Sequence, residues 1–193
     1  LGDGDKIIMS TDKDFLQLVN DNVKVWSPTR KKLYDKQSVL EEYCVTANNF
    51  IMAKVFEGDK SDNINGVKGV ATKTLVKNMP TLANEDNTYT LDEVYKYALQ
   101  HKDEGGAFFV KVLQNKELLE RNYKLMQLSD VDISGSTKTK LLDIVRQPIN
   151  RLIKFKFESQ FMEDRLFQNL PNISSWLSQT FTTLDKYAQV TNG

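Results

Sequence analysis

Apolar positions along the chain keep two different periods. In the first third they come as short runs or alternate. Residues 6–10, Lys-Ile-Ile-Met-Ser, form a continuous apolar run of the kind found in buried parallel strands. The run stops at Thr11-Asp12-Lys13-Asp14, after which Phe15, Leu16, Leu18 and Val19 give a helix its apolar face. Val23-Lys24-Val25-Trp26 alternates and predicts a strand, broken by Ser27-Pro28-Thr29, with residues 31–34 as its hairpin partner.

From Lys36 the period becomes helical. Val39, Leu40 and Tyr43 make one face; Phe50, Ile51, Ala53, Lys54 and Val55 make another that ends at Gly58. A short helix is predicted over 72–78, with Leu75, Val76 and Met79 apolar and Pro80 as its stop. Residues 84–90 are polar and loop-like. Helices over 91–99 and 108–113 flank a Gly105-Gly106 break, and a longer one covers 116–128. In the tail, Leu141, Leu142 and Val145 form one stripe. Ile153, Phe157 and Phe161 form a second that reads as core. Pro148 and Pro171 punctuate it, and a last helix over 174–181 is expected to bury Trp176 and Leu177. The order of periods predicts an α/β start followed by a mostly α-helical region. There is no internal repeat or low-complexity tract.

Composition narrows the function. The 193 residues carry 26 Lys plus Arg against 26 Asp plus Glu. No global field therefore draws the chain to nucleic acid, and such affinity has to come from a local patch. Cys44 stands alone, which excludes an internal disulfide and suits a reducing, cytoplasmic setting. With His101 as the one histidine, an ordinary Cys/His zinc site is excluded as well. His101 lies in a polar stretch and reads as surface. No run is long and apolar enough to span a membrane, and there is no signal-peptide pattern. The chain opens at Leu1 and enters an apolar strand five residues later, so it reads as starting inside a domain.

The densest chemistry lies between Glu57 and Thr74. Asp59 and Asp62 are spaced i, i+3, so at a helix start both carboxylates face one way, and oxygen ligands of this kind suit Mg²⁺. Gly66-x-x-Gly69 follows, then Thr72 and an apolar helical run. Glycines permit a tight turn and close backbone approach, and amides at a helix start favour phosphate. Lys68, Lys73 and Lys77 add positive charge with no acid among them. Either half alone could be a helix cap or a plain loop; the order and spacing of the two together are far more specific. Asp12 and Asp14 sit at the carboxyl end of a predicted parallel strand, the edge where ligands bind in open α/β sheets. Helix capping is the competing role for one of them, with Asp14 the candidate. Arg30, Lys31 and Lys32 read as a solvated turn, and Asp130 and Asp132 as part of a linker.

Residues 57–74 resemble the Gly-Asp-x-Ser-Asp-Asn-Ile-Pro-Gly-Val-x-Gly-Ile-Gly-x-Lys-Thr signature of the 5′-nuclease superfamily, with Asn65 in place of its Pro and Ala71 in place of one Gly. Residues 8–18 are similar to a second motif of that family, Ser-x-Asp-x-Asp-x-x-Gln-Leu. The Trp26-Ser27-Pro28 stretch looks most like the phage T4-type RNase H branch. Arg121-Asn122-Tyr123-Lys124-Leu125 resembles the segment that closes the family's helical region. The resemblance implies part of a PIN-like parallel sheet, then a helical region with a helix–hairpin–helix motif. Its implied division is 1–45 for the end of the α/β core, 46–128 for the helical region and 129–193 for a helical extension.

It further implies a metal-dependent 5′-3′ exonuclease or flap endonuclease with RNase H-type activity, acting in replication. The metal ligands would be Asp12, Asp14, Asp59 and Asp62, holding Mg²⁺ or Mn²⁺, two ions in the intact site. Gly66, Val67, Lys68, Gly69, Val70, Thr72, Lys73 and Lys77 would bind DNA, with a K⁺ ion at the hairpin carbonyls. Duplex, flapped or RNA–DNA hybrid nucleic acid would be the partner, together with replication proteins. Because the family's other acids precede this stretch, the chain is expected to be a carboxyl-terminal portion that cuts slowly or not at all alone. The alternative is a helix–hairpin–helix module that binds duplex without catalysis.

Overall fold

In the computed structural model, residues 4–103, 106–129, 133–170 and 172–189 are described. Leu1 and its turn, Gly105, Asp130, Asp132 and Pro171, on which expectations above fall, lie outside them. The chain divides into two compact units, 1–132 and 133–193.

The first unit opens with a three-stranded sheet in the order β1 (Lys6–Met9), β2 (Val23–Ser27), β3 (Lys32–Tyr34). β1 runs parallel to β2 with Lys6 opposite Val23, and β3 returns antiparallel with Tyr34 opposite Val25. The parallel pairing fits the apolar run, but β1 is not covered on both faces. Ile8 is half-buried, whereas Ile7 and Met9 on the opposite face are 63% and 72% exposed. β1 lies at one end of the strand order, and a single face packs inward. The connection to β2 is a 3-10 helix, Lys13–Leu18, rather than an α-helix. It buries Leu16, with Val19 following.

Helices follow in the expected order: α1 (Lys36–Tyr43), α2 (Phe50–Glu57), α3 (Thr72–Asn78), α4 (Leu91–Gln100), α5 (Ala107–Gln114) and α6 (Lys116–Met126). Two starts are written locally. Asp35 and Ser38 form a reciprocal cap on α1, and Thr90 and Glu93 do the same for α4. Between α2 and α3 stands a two-stranded hairpin, β4 (Gly58–Asp59) with β5 (Ile64–Asn65). Asp59 and Asp62 therefore do not open a helix as their spacing suggested. Asp59 ends β4 and Asp62 lies in the turn, because Gly58, at φ +78°, terminates α2 and reverses the chain.

α2 organises this unit. Phe50, Ile51, Met52, Ala53, Val55 and Phe56 are all buried, so the helix is apolar almost all round. It packs against α6 and α3. Phe56 stacks on Phe108 of α5 with ring centroids 6.5 Å apart. His101, expected on the surface, is half-buried, stacked on Tyr97, with Nδ1 2.9 Å from the Tyr97 carbonyl.

The second unit contains α7 (Gly135–Arg146), α8 (Lys154–Glu163) and α9 (Ile173–Leu184). Its core is aromatic: Phe161, Leu177 and Phe181 are buried, and the Phe157 ring lies 5.5 Å from Trp176 and 5.6 Å from Phe181. Three expectations are corrected here. The Leu141, Leu142 and Val145 stripe is exposed, with no residue of α7 buried. Ile153 precedes α8 in extended backbone and is exposed. Trp176 is 38% exposed while Leu177 is buried. No helix among the described residues is long and apolar enough to cross a membrane.

Candidate metal centre and nucleic-acid groove

The 3-10 helix after β1 and the α2–β4 junction bring three carboxylates together. Asp14, Asp59 and Asp62 each offer an oxygen within 4.8 Å of the others. The β1 end delivers Asp14, Gly58 turns the chain to deliver Asp59, and the β4–β5 turn delivers Asp62. Asp12, in the ligand set that the resemblance implies, is engaged at the start of the 3-10 helix. Its carboxylate accepts from the Asp14 backbone N–H at 2.9 Å and caps the 3-10 helix. Capping therefore falls to Asp12, and Asp14 is left to point into the cluster.

Lys54 enters the same cluster from α2. Its ammonium lies 2.8 Å from Asp14 Oδ1 and pairs with Asp59 Oδ2. The approach to Asp14 is an ion pair without hydrogen-bond alignment, so that buried oxygen has no hydrogen-bond donor. Asp59 Oδ1 accepts from the Ser61 backbone N–H at 2.8 Å and from the Ser61 hydroxyl. The Lys54 pairing first, and Ser61 second, hold the Asp59 carboxyl well below the usual carboxylate range. Burial opposes the charge on Lys54, but Asp14 and Asp59 outweigh it and its ammonium is held above its ordinary value. The donor set suits a hard divalent cation: carboxylate oxygens from three residues, one of them buried without a donor.

Of the predicted phosphate-binding residues, Thr72 and Lys73 reach the same groove, a cavity of about 870 Å³ that Asp12, Lys54, Asp59 and Asp62 also line. Gly66 sits where a Cβ would come within 2.3 Å of the Glu57 carbonyl, and Gly69 adopts φ +77°, so both positions need glycine. Ala71 is extended at φ −89°, a conformation alanine adopts without strain. Lys68, Lys73 and Lys77 are exposed. Val67 and Val70 are buried, and their backbone N–H groups donate to the carbonyls of Phe56 and Val67 at 2.8 and 3.0 Å. The start of α3 is already engaged: Glu57 accepts from the Thr72 hydroxyl and, at 3.4 Å, its backbone N–H. Lys111 of α5 donates to the Lys68 carbonyl at 3.3 Å.

Arg30 and Lys32 are not simply solvated. Both pair with Glu42, which also accepts from the Tyr34 hydroxyl at 3.0 Å. Burial pushes the Glu42 carboxyl up, but hydrogen bonds from Lys32, Tyr34 and Arg30 outweigh it and hold it at about 2.

Periodicity placed Lys54 on an apolar face and attached no chemistry to it. The available signal was a lone lysine inside a run otherwise buried on every side, five residues before Asp59. Gln17 and Asn122 fall inside the family-like segments, but the bonds they make are tertiary and are not readable from sequence. Gln17 donates to the Met126 carbonyl at 3.0 Å and accepts from the Leu128 N–H at 2.9 Å. Asn122, fully buried, donates to the carbonyls of Val55 and Asn65 at 3.0 and 2.8 Å. Asn49, also fully buried, bridges Thr46, Leu82, Asn87 and Tyr89.

No family model matches the chain. Among curated proteins it is 31% identical over 146 residues to a 5′-3′ exonuclease of Aquifex aeolicus, covering 75% of this chain and 46% of that protein. It is 33% identical over 136 residues to the flap endonuclease Xni of Pseudoalteromonas translucida, covering 68% and 48%. The chain thus spans about half the length of these relatives. Among solved structures it superposes on the T5 5′-exonuclease with zinc bound, TM-score 0.50 and 29% identity over 62% of this chain and 42% of that one. A bacteriophage T5 flap endonuclease in complex with DNA and metal ions also matches, with TM-score 0.50, 28% identity and the same coverage. These sequence matches and the shared fold agree on one assignment, and the chain belongs to the 5′-nuclease superfamily.

Proposed function

We propose that this chain carries part of the metal site and the duplex grip of a 5′-nuclease. Such an enzyme hydrolyses phosphodiesters as a 5′-3′ exonuclease or flap endonuclease, removing flaps or RNA primers during replication. The observation that carries the reading is the meeting of Asp14, Asp59 and Asp62 in one cluster, two of whose members, Asp59 and Asp62, line the same groove as Thr72 and Lys73. Asp14, Asp59 and Asp62 would hold a divalent ion, Mg²⁺ or Mn²⁺, with Asp12 beside them; two ions belong to the full site. Bound there, such an ion supplies an activated water and neutralises charge on the phosphate.

The chain's own residues do the rest. Gly66 and Gly69 let the backbone of 66–70 approach a duplex closely, in the manner of a helix–hairpin–helix. Thr72, Lys73, Lys68 and Lys77 meet phosphates without reading bases, which makes the grip independent of sequence. The Glu57 carboxylate stands where a phosphate would sit at Thr72, so duplex binding displaces it. This reading also assigns a K⁺ ion to the hairpin carbonyls; the Lys68 carbonyl, which accepts from Lys111, would have to be released to take part. RNA–DNA hybrid offers the same phosphate charges to this grip and is a further substrate in this reading, replication proteins are partners, and the setting is cytoplasmic.

The test is binding of a 5′-labelled flap duplex at low salt, in Ca²⁺ or in EDTA, by the natural chain and by Asp62→Asn. Affinity should rise with Ca²⁺, and the gain should shrink in Asp62→Asn. A duplex-binding module without a metal site predicts equal affinity in both conditions. Failure to bind duplex in either condition overturns the reading.

A further inference from the structure

α2 is buried on every side except where Lys54 and Glu57 emerge, and Lys54 emerges into the carboxylate cluster. Its side chain is only 15% exposed. Among the described residues, the ion pairs reaching Asp14 and Asp59 both come from this one ammonium. The oxygens it touches, Asp14 Oδ1 and Asp59 Oδ2, belong to the same carboxylates that a divalent ion would use.

A divalent ion sits about 2.1 Å from each carboxylate oxygen. An ammonium 2.8 Å from Asp14 Oδ1 would then lie within about 5 Å of it, with little water between two positive charges. The two cations cannot share these oxygens. The backbone of Lys54 is fixed, because Ala53 and Val55 on either side are buried. The four-carbon stem is free to turn, because Lys54 lines the groove.

We propose that Lys54 is the resident cation of the aspartate cluster: it neutralises Asp14 and Asp59 when no metal is bound, and it must withdraw into the groove for a divalent ion to enter. Lys54 is thus a positioning residue that lowers the affinity for metal and stabilises the metal-free fold. This rests on the reading of Asp14, Asp59 and Asp62 as a divalent-ion site. Replacing the ammonium with a neutral chain of similar length leaves the carboxylates facing one another without a counter-charge, which raises their demand for a metal.

The experiment is calorimetric titration of Mn²⁺ into the EDTA-stripped chain, with thermal melts of the metal-free proteins. Lys54→Met should bind Mn²⁺ at least tenfold more tightly and melt lower without metal. Lys54→Arg, which restores a cation, should bind as weakly as the natural chain. Lys54→Gln serves as the second neutral variant should the Met variant not fold. Folded neutral variants with unchanged or weaker Mn²⁺ affinity overturn the inference. If the natural chain binds Mn²⁺, Asp62→Asn weakens that binding and the neutral variants change nothing, the metal site stands and Lys54 is not its resident cation. If neither the natural chain nor the neutral variants bind Mn²⁺, the metal site itself is wrong.

Discussion

Asn122 donates from Nδ2 to the carbonyl of Asn65 at 2.8 Å, across 57 residues of sequence. The same amide nitrogen reaches the Val55 carbonyl at 3.0 Å. One side chain of α6 thereby holds the strand that closes the aspartate hairpin and the helix that leads into it.

Asn122→Leu should cost about 2 kcal/mol in urea denaturation, because the buried Val55 carbonyl and the part-buried Asn65 carbonyl lose their donor. The Asn65 end of the hairpin is then free to shift, so Mn²⁺ binding should weaken as well. An unchanged denaturation midpoint would mean that the amide is replaceable at this position.

Millimolar Mn²⁺ should raise the melting temperature of the natural chain. An ion present at a hundred times its dissociation constant stabilises the fold by about 2.7 kcal/mol, or about 5 °C or more at this size. Asp59→Asn should remove most of that gain. It should also lower the metal-free melt, since Lys54 loses a partner. A melt that ignores Mn²⁺ in both proteins would reduce the aspartates to turn and capping roles.

Duplex binding should be salt-dependent and indifferent to base sequence. Lys73→Glu should weaken it and lower the log–log salt slope by about 1–2, because each phosphate neutralised releases close to one counterion. Lys73 is exposed at the start of α3 on the groove, so the fold should be untouched. The same slope in both proteins would place the duplex elsewhere.

Glu42 predicts an acid response. Its folded value, about 2, lies below the unfolded carboxyl value of about 4.3. Its contribution is therefore complete above about pH 4.3 and is lost as pH falls toward 2. The side chain is 28% exposed, so solvent screening limits the contribution to about 1 kcal/mol. Glu42→Gln should lose that amount at pH 7 and show a flatter stability curve between pH 4 and 2. Parallel curves for the two proteins would contradict the pairing with Arg30, Lys32 and Tyr34.

Local rules made much of this fold legible. α3 spans the predicted 72–78, since Pro80 and the Gly66-x-x-Gly69 turn bracket it. β2 and β3 follow from alternation and a Pro turn, and α4 from its amphipathic period. The motifs singled out Asp12, Asp14, Asp59 and Asp62, and the last three converge in the fold. What local rules could not supply was tertiary. A two-residue strand at Gly58–Asp59 exists only because β5 pairs with it, so its aspartates looked like a helix start. Lys54 looked like an interruption of an apolar face, because its partner Asp14 is 40 positions away. The α7 stripe had helical period but no surface in its own unit that covers it.

The struts from α6 and its trailing residues have a consequence for timing. A chain made from its amino end has all four aspartates by residue 62. The groups that set their frame, Asn122 and the Met126 and Leu128 backbone on Gln17, come some sixty residues later. Contacts of such long sequence separation form last, since loop closure has to be met before they return any energy. Pulse-labelled hydrogen exchange should accordingly find amides around β5 and α2 gaining protection together with α6 rather than ahead of it. A partly made chain would then carry the carboxylates without the cage, and would scavenge no metal until the sixth helix had docked.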